Sequence, residues 1–203
     1  MIARSMTAEE FASSKFELPD GGRWAELING EPVSLEAPSD AHGNCVRNLS
    51  KAIADWLQQT RDGYACFELC LIVERAPDTV LCPAISYFAT GERWSETDKA
   101  VSEVCPGVVL ELASTPDRQR AMPARVEHYR QRGVGVILVV HPEEFAVSVH
   151  LANGNARVLK GDDVLVGDDE WRFSGREQPL MAGFRLPVAT VFEQPEWWTG
   201  PRK

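Results

Sequence analysis

Apolar residues recur at spacings of three and four between Val46 and Leu57 (Val46, Leu49, Ile53, Trp56, Leu57), so one face of a helix is apolar there. Ser39 is a plausible N-cap for that helix, and Gly63 is the expected stop. Shorter apolar runs read as strands: residues 64–74 (YACFELCLIVE), 80–88 (VLCPAISYF), 107–114 (GVVLELAS) and 135–141 (GVILVVH). The last is a continuous apolar run, as in a strand covered on both faces. Ala76-Pro77-Asp78 supplies turn chemistry between the first two runs, and a charge-rich stretch (90–104) precedes the third. Residues 24–37 form two strands meeting at Asn29-Gly30, the dipeptide of type I′ hairpins, and residues 145–160 form a second hairpin turning at Asn153-Gly154-Asn155. Thr7-Ala-Glu-Glu10 is a capping box opening a short helix before Phe11. Residues 121–130 (AMPARVEHYR) are helical, with Pro123 in the first turn and Gly133 at C′. The order helix, hairpin, helix, three strands, helix, strand, hairpin predicts one α/β domain with a mixed sheet, closing in a short helix near 192.

Composition narrows this picture. At 203 residues and 44% hydrophobic content, one well-buried domain (1–195) with a short tail (196–203) is expected, and no linker-like tract divides it. No run approaches the roughly 18 apolar residues of a membrane span. With no apolar leader either, a cytoplasmic location away from membranes is expected. Five cysteines (Cys45, Cys66, Cys70, Cys82, Cys105) without a CxxC pair read as reduced, mostly buried thiols. Zinc bound by Cys66, Cys70 and Cys82 is the competing reading. A formal charge of −9 fits phosphate-driven nucleic-acid binding poorly. The cluster Arg118, Arg120, Arg125, Arg130 and Arg132 could still meet a phosphate backbone, although a solvated helix face is the simpler reading. No G-x-S-x-G, P-loop or G-x-G-x-x-G motif is present, and His128, His141 and His150 lack metal-ligand spacing.

The strand 80–88, the strand 107–114 and a helix ending Tyr129-x-x-x-Gly133 resemble, in that order, the Uma2 family (DUF820) of endonuclease-like proteins with the PD-(D/E)xK fold. The resemblance extends over nearly the whole chain. WAELINGEPV is similar to the family's E-L-I-D-G-E opening, SDAHGNCVRNL to its S-P-x-H helix start, and MAGFRLPVATVF to its L-P-G-F…F ending. It implies an α/β, restriction-endonuclease-like mixed β-sheet flanked by helices, with peripheral β-hairpins. It also implies phosphodiester hydrolysis assisted by Mg²⁺ or Mn²⁺, using Pro-Asp on one strand, Glu on the next and Lys on the helix.

The chain departs from that pattern twice. The Asp position is Ala84 (after Pro83) and the Lys position is Arg125, while Glu111 is retained. Magnesium takes hard oxygen ligands, and Ala84 offers none. Asp78, six residues upstream, is about 20 Å away along an extended strand. Ser86, on the face of position 84 by period two, and Glu68, on the neighbouring strand, are the substitutes considered. Arginine stays protonated and presents a planar fork, so Arg125 does not readily transfer a proton. It can bind Glu111 bidentately, giving a buried carboxylate its partner without a metal.

Glu26 and His42 match the family's opening glutamate and helix histidine. The alternatives are a partly exposed hairpin carboxylate for Glu26 and a capping or core hydrogen bond for His42. The resulting expectation is a degenerate, catalytically inactive site acting as a binding or assembly module, with a homodimer and nucleic acid as the partners considered and no cofactor. The alternative is an atypical Mg-dependent DNA endonuclease using Glu111 as metal ligand with a substitute carboxylate. A scaffold for partners other than nucleic acid is the third reading. Trp197 and Trp198 are expected to pack back onto the domain.

Overall fold

The computed structural model describes residues 5–195, so the Trp197-Trp198 tail lies outside the described residues. The capping box forms: the Thr7 side chain accepts from the Glu10 amide and Glu10 reaches back, starting α1 (Ala8–Ser14). Two short 3₁₀ turns lead to β1 (Ala25–Ile28) and β2 (Glu31–Ser34). They pair antiparallel through left-handed Asn29 and Gly30, at φ 52° and 77°, as a type I′ turn requires. The long helix α2 (Asp40–Thr60) buries Cys45, Leu49, Ile53 and Trp56. Arg61, not Gly63, takes the left-handed position that ends it.

The two runs read as single strands each break in half. Residues 64–74 divide into β3 (Tyr64–Phe67) and β4 (Cys70–Glu74), and residues 80–88 into β5 (Thr79–Leu81) and β6 (Ile85–Phe88). The break falls at Glu68, which is left-handed at φ 53°, and opposite it at Pro83-Ala84. The register Tyr64↔Phe88 to Phe67↔Ile85 resumes as Leu71↔Leu81 and Ile72↔Val80, and the Glu68 amide donates to the Ala84 carbonyl across the break. These segments are one long hairpin, bent so that its base and its tip enter different sheets. Proline at 83 donates no ladder hydrogen bond, which suits a place where pairing is handed over.

One sheet runs β2-β1-β5-β4-β7, with β7 at Val101–Ser102 in the charge-rich stretch. The other runs β11-β10-β9-β8-β6-β3, with β8 (Val108–Leu112) parallel to β9 (Val136–His141), and β10 (Ala146–Leu151) with β11 (Ala156–Lys160) forming the expected second hairpin. A small pair of β12 (Val164–Val166) and β13 (Arg185–Pro187) precedes the closing α4 (Val188–Phe192). The fold is thus mixed α/β, with its strands divided between two main sheets.

Helix α3 (Pro116–Arg132) starts five residues before its first apolar signal. Thr115 is extended and Pro116 occupies N1, where a missing N–H costs nothing. Pro123 is therefore inside the helix rather than in its first turn, and Gly133 caps it at φ 96°. The large sheet has α2 on one face, packed on Ile85, Tyr87, Leu110, Leu138 and Val147. On its other face Met122, Val126 and Tyr129 of α3 meet Val109, Ile137 and Val139 together with Leu71 and Val73 of the smaller sheet. Helix α3 therefore lies where the sheets meet. No helix among the described residues is long and apolar enough to cross a membrane.

The expectation of five reduced thiols is corrected. Cys70 and Cys82 form a disulfide, leaving Cys45, Cys66 and Cys105 free. The bent hairpin explains it, since its common register sets Cys70 opposite Cys82 at the break, with α-carbons 4.0 Å apart. That pairing also removes the zinc reading of Cys66, Cys70 and Cys82, because zinc needs free thiolates.

Candidate functional site

Four buried polar side chains converge where the sheets and α3 meet. Glu26 comes from β1 in the smaller sheet, Glu111 from β8 in the larger, and Arg125 and Tyr129 from adjacent turns of α3. Only 1%, 3% and 5% of Glu26, Glu111 and Arg125 is exposed, so each charge must find its partner inside the protein. The Arg125 fork spans both carboxylates. Its Nε and Nη2 donate to Glu111 Oε1 at 3.0 and 2.5 Å, and its Nη1 and Nη2 donate to Glu26 Oε2 and Oε1 at 2.5 and 3.0 Å. Tyr129 Oη donates to Glu111 Oε1 at 2.5 Å, and the Cys82 amide donates to Glu26 Oε1 at 2.7 Å.

Burial works against the Arg125 charge, but Glu111 and Glu26 outweigh it and hold the guanidinium well above its ordinary range. Burial pushes the Glu111 carboxyl upward; the Arg125 charge opposes this, Glu26 adds to it, and the Tyr129 hydroxyl opposes it. Two carboxylates share one cation here, and burial makes Glu111 easier to protonate than a free glutamate.

The expected Glu111–Arg125 pair is therefore present, and Glu26 is its third member rather than a partly exposed hairpin carboxylate. The cluster borders a cavity of about 680 Å³ whose wall includes Glu26, Glu111, Pro83, Ala84, Glu68 and His42. Ser86 is buried elsewhere, paired opposite Cys66 and Val109, and its hydroxyl finds no partner among the described residues. His42 Nδ1 lies 2.7 Å from Ser114 Oγ, the hydrogen bond considered for a first-turn histidine, while its ring also lines the cavity edge-on to Trp24. Burial, reinforced by the charges of Arg118 and Arg23, pushes His42 down to about 4.

The reading of the arginine cluster as a solvated face is corrected for two of its members. Arg118 is 7% exposed, donates to the Glu36 carbonyl and Thr115 Oγ1, and lines the cavity, while Arg125 is the core of the ion cluster. The charge of a polar helix segment does not reveal which arginines turn inward. Lys15 was missed altogether. It is 8% exposed, also lines the cavity, and places Nζ 2.8 Å from Cys70 Sγ and 3.5 Å from Cys82 Sγ. Nothing in its surroundings, SSKFEL, marks it out.

A divalent metal does not fit this donor set. Ala84 has no ligand atom, and the carboxylates that remain, Glu26 and Glu111, accept hydrogen bonds from a permanently charged guanidinium. No group of three His, Cys, Asp or Glu residues suited to a metal occurs among the described residues.

The Uma2 family model, described as "Putative restriction endonuclease", matches residues 8–188. The chain belongs to the Uma2 family. A crystal structure described as "a putative nuclease belonging to DUF820" from Anabaena variabilis ATCC 29413 is similar at 20% identity, with a TM-score of 0.67, covering 92% of this chain and 97% of that one. At that identity the likeness is one of fold. No curated protein matches the chain. Glu111 and Arg125 lie on β8 and on α3, the helix that follows it, and Ala84 borders the cavity just ahead of β6.

Proposed function

We propose that this Uma2-family chain is a non-hydrolytic member whose metal site has been closed from within, and that it acts as a binding or assembly module through the adjoining cavity. The observation that carries this reading is the Arg125 fork, which engages both buried carboxylates of the site. A hydrolytic metal site needs oxygens free to hold a cation and a group that can orient water. In this chain the cation is built in and cannot leave. The loss of the Asp at Ala84 and the gain of Arg125 support one another, because the arginine supplies the charge that a metal would have supplied.

The test compares the parent with the double variant A84D/R125K. Thermal unfolding followed with Mg²⁺ or Mn²⁺ up to millimolar concentration should leave the parent unmoved and raise the melting temperature of the double variant, since a ligand of the folded state stabilises it. Plasmid nicking is then measured for both. A parent that cleaves DNA in a metal-dependent way, with E111Q abolishing cleavage, overturns the proposal in favour of an atypical endonuclease.

A further inference from the structure

We infer that Cys82 is a thiol-exchange site in the cavity wall, with Lys15 as the charge partner that stabilises Cys70 as the leaving thiolate. Neither sulfur belongs to the carboxylate cluster, and the inference stands whether or not the chain hydrolyses anything.

The two sulfurs differ in access. Cys70 is fully buried on β4, whereas Cys82 is half-buried and lines the cavity. A thiolate arriving through the cavity therefore meets Cys82 Sγ first. Exchange also depends on how well the departing sulfur carries negative charge. Cys70 Sγ, the sulfur farther from solvent, is the one that Lys15 Nζ contacts more closely, at 2.8 Å against 3.5 Å for Cys82. Access thus selects Cys82 for attack, and charge selects Cys70 for departure.

Lys15 is an unusual residue to find there. It is 8% exposed, and no carboxylate among the described residues lies within ion-pair distance of its Nζ. Burial lowers its basicity, with Glu26 and Glu68 acting in the opposite sense from farther away. A thiolate formed at Cys70 would give this ammonium the anionic partner it lacks, and an ammonium beside a sulfur is the setting that favours a thiolate.

The reaction balances with a dithiol as reductant. One thiolate of the dithiol attacks Cys82 Sγ, forming a mixed disulfide as the Cys70–Cys82 bond breaks and its electron pair goes to Cys70. The second thiol, deprotonated, attacks the sulfur of the first, releasing a cyclic disulfide and the Cys82 thiolate, which takes up the proton. Two electrons pass from the dithiol to the protein. With a monothiol the mixed disulfide on Cys82 lasts until the freed Cys70 thiolate expels the monothiol or a second monothiol completes the reduction, so an excess of monothiol and a quench are needed to capture it. The Cys82 amide holds Glu26 Oε1, so this modification falls on the residue whose own backbone anchors the carboxylate cluster, next to Pro83-Ala84.

The experiment uses the full chain purified without reductant. Glutathione traps the mixed disulfide, acid and iodoacetamide quench it, and peptide mass spectrometry locates the adduct. Dithiothreitol then gives the rate of reduction for the parent, K15M and K15R, each first shown to be folded by circular dichroism. The adduct is expected on Cys82, with reduction about tenfold slower in K15M and largely restored in K15R. An adduct on Cys70, equal rates in parent and K15M, or five free thiols in the unreduced protein overturns the inference. Adduct location requires no substitution, so it decides the matter even if K15M does not fold.

Discussion

Replacing Arg125 with methionine removes the charge from the centre of the cluster while keeping most of the apolar bulk of the side chain. Glu26 and Glu111, 1% and 3% exposed, would then face each other without a cation. Breaking a buried ion pair from one side costs about 3–5 kcal/mol. Protonation limits the cost. Holding the Glu111 carboxyl neutral at pH 7, against an ordinary value of 4.5, costs about 3.4 kcal/mol at ~1.36 kcal/mol per pH unit, but only about 0.7 kcal/mol at pH 5. A carboxyl raised in the folded state contributes stability at low pH and loses it as pH rises through the folded value. R125M should therefore be about 3–5 kcal/mol less stable than the parent near pH 7, with the deficit shrinking markedly by pH 5. In a chain of this length that is a fall of roughly 6–20 °C in melting temperature. The assay is urea unfolding followed by tryptophan fluorescence at pH 5, 6, 7 and 8. The triple variant E26Q/E111Q/R125M should recover most of the loss, because no buried charge is then left unpaired. A deficit below about 1 kcal/mol at pH 7, or one that stays constant from pH 5 to 8, would refute the idea that the two carboxylates depend on this arginine.

Three further outcomes are expected. Y129F removes the hydroxyl that donates to Glu111 from a fully buried ring and should cost about 1.5–3 kcal/mol in the same assay, while circular dichroism stays native. His42, held down to about 4 against an ordinary 6.5, binds fewer protons folded than unfolded between those values. Its stability contribution is full above about pH 6.5 and is lost as pH falls towards 4, so H42Q should flatten that limb by about 1–2 kcal/mol after discounting for the exposed part of the ring, as read from difference curves against the parent. G63A and G91A separate backbone strain from crowding, since both glycines are left-handed (φ 67° and 91°), but a Cβ at 63 would lie 2.3 Å from the Phe88 carbonyl oxygen and one at 91 meets nothing within 4 Å. G91A should cost about 1 kcal/mol and G63A clearly more by thermal unfolding.

Much of the local structure was legible because the signals were local. The Thr7–Glu10 box, the Asn29-Gly30 turn and the α2 stripe depend on neighbours within a few residues, and each formed as read. The Glu111–Arg125 pair follows from the family resemblance, which sets a Glu and a Lys at those positions of a strand and the next helix, together with the planar fork of the arginine that replaces the lysine. What escaped was non-local. That Glu26 would join the pair across 99 residues depends on two sheets meeting at α3, which no periodicity encodes. The apolar pattern gives too short an α3 because PDRQR carries no apolar period, although Pro116 after Thr115 is a start signal. The disulfide was recoverable in principle, since Cys70 and Cys82 lie equidistant from Ala76 in the turn. The periodicity of either run alone does not encode it, because it depends on the register between the two arms.

The bent hairpin of β3, β4, β5 and β6 bears on how this chain tolerates changes in length. Its base and tip share one register across the fold at Glu68 and Ala84, and Pro83, Ala84, Glu68 and Cys82 all line the cavity from that fold. Residues added at the tip, between Arg75 and Asp78, lengthen an exposed turn and leave the wall in place. One residue lost between Phe67 and Cys70 would instead put every downstream side chain of that arm on the opposite face, turning Leu71 and Val73 out of the contact with α3. Homologous chains should therefore vary in length at the turn and stay constant in spacing at the bend, so the distance in sequence from Tyr64 to Cys70 is itself part of the site.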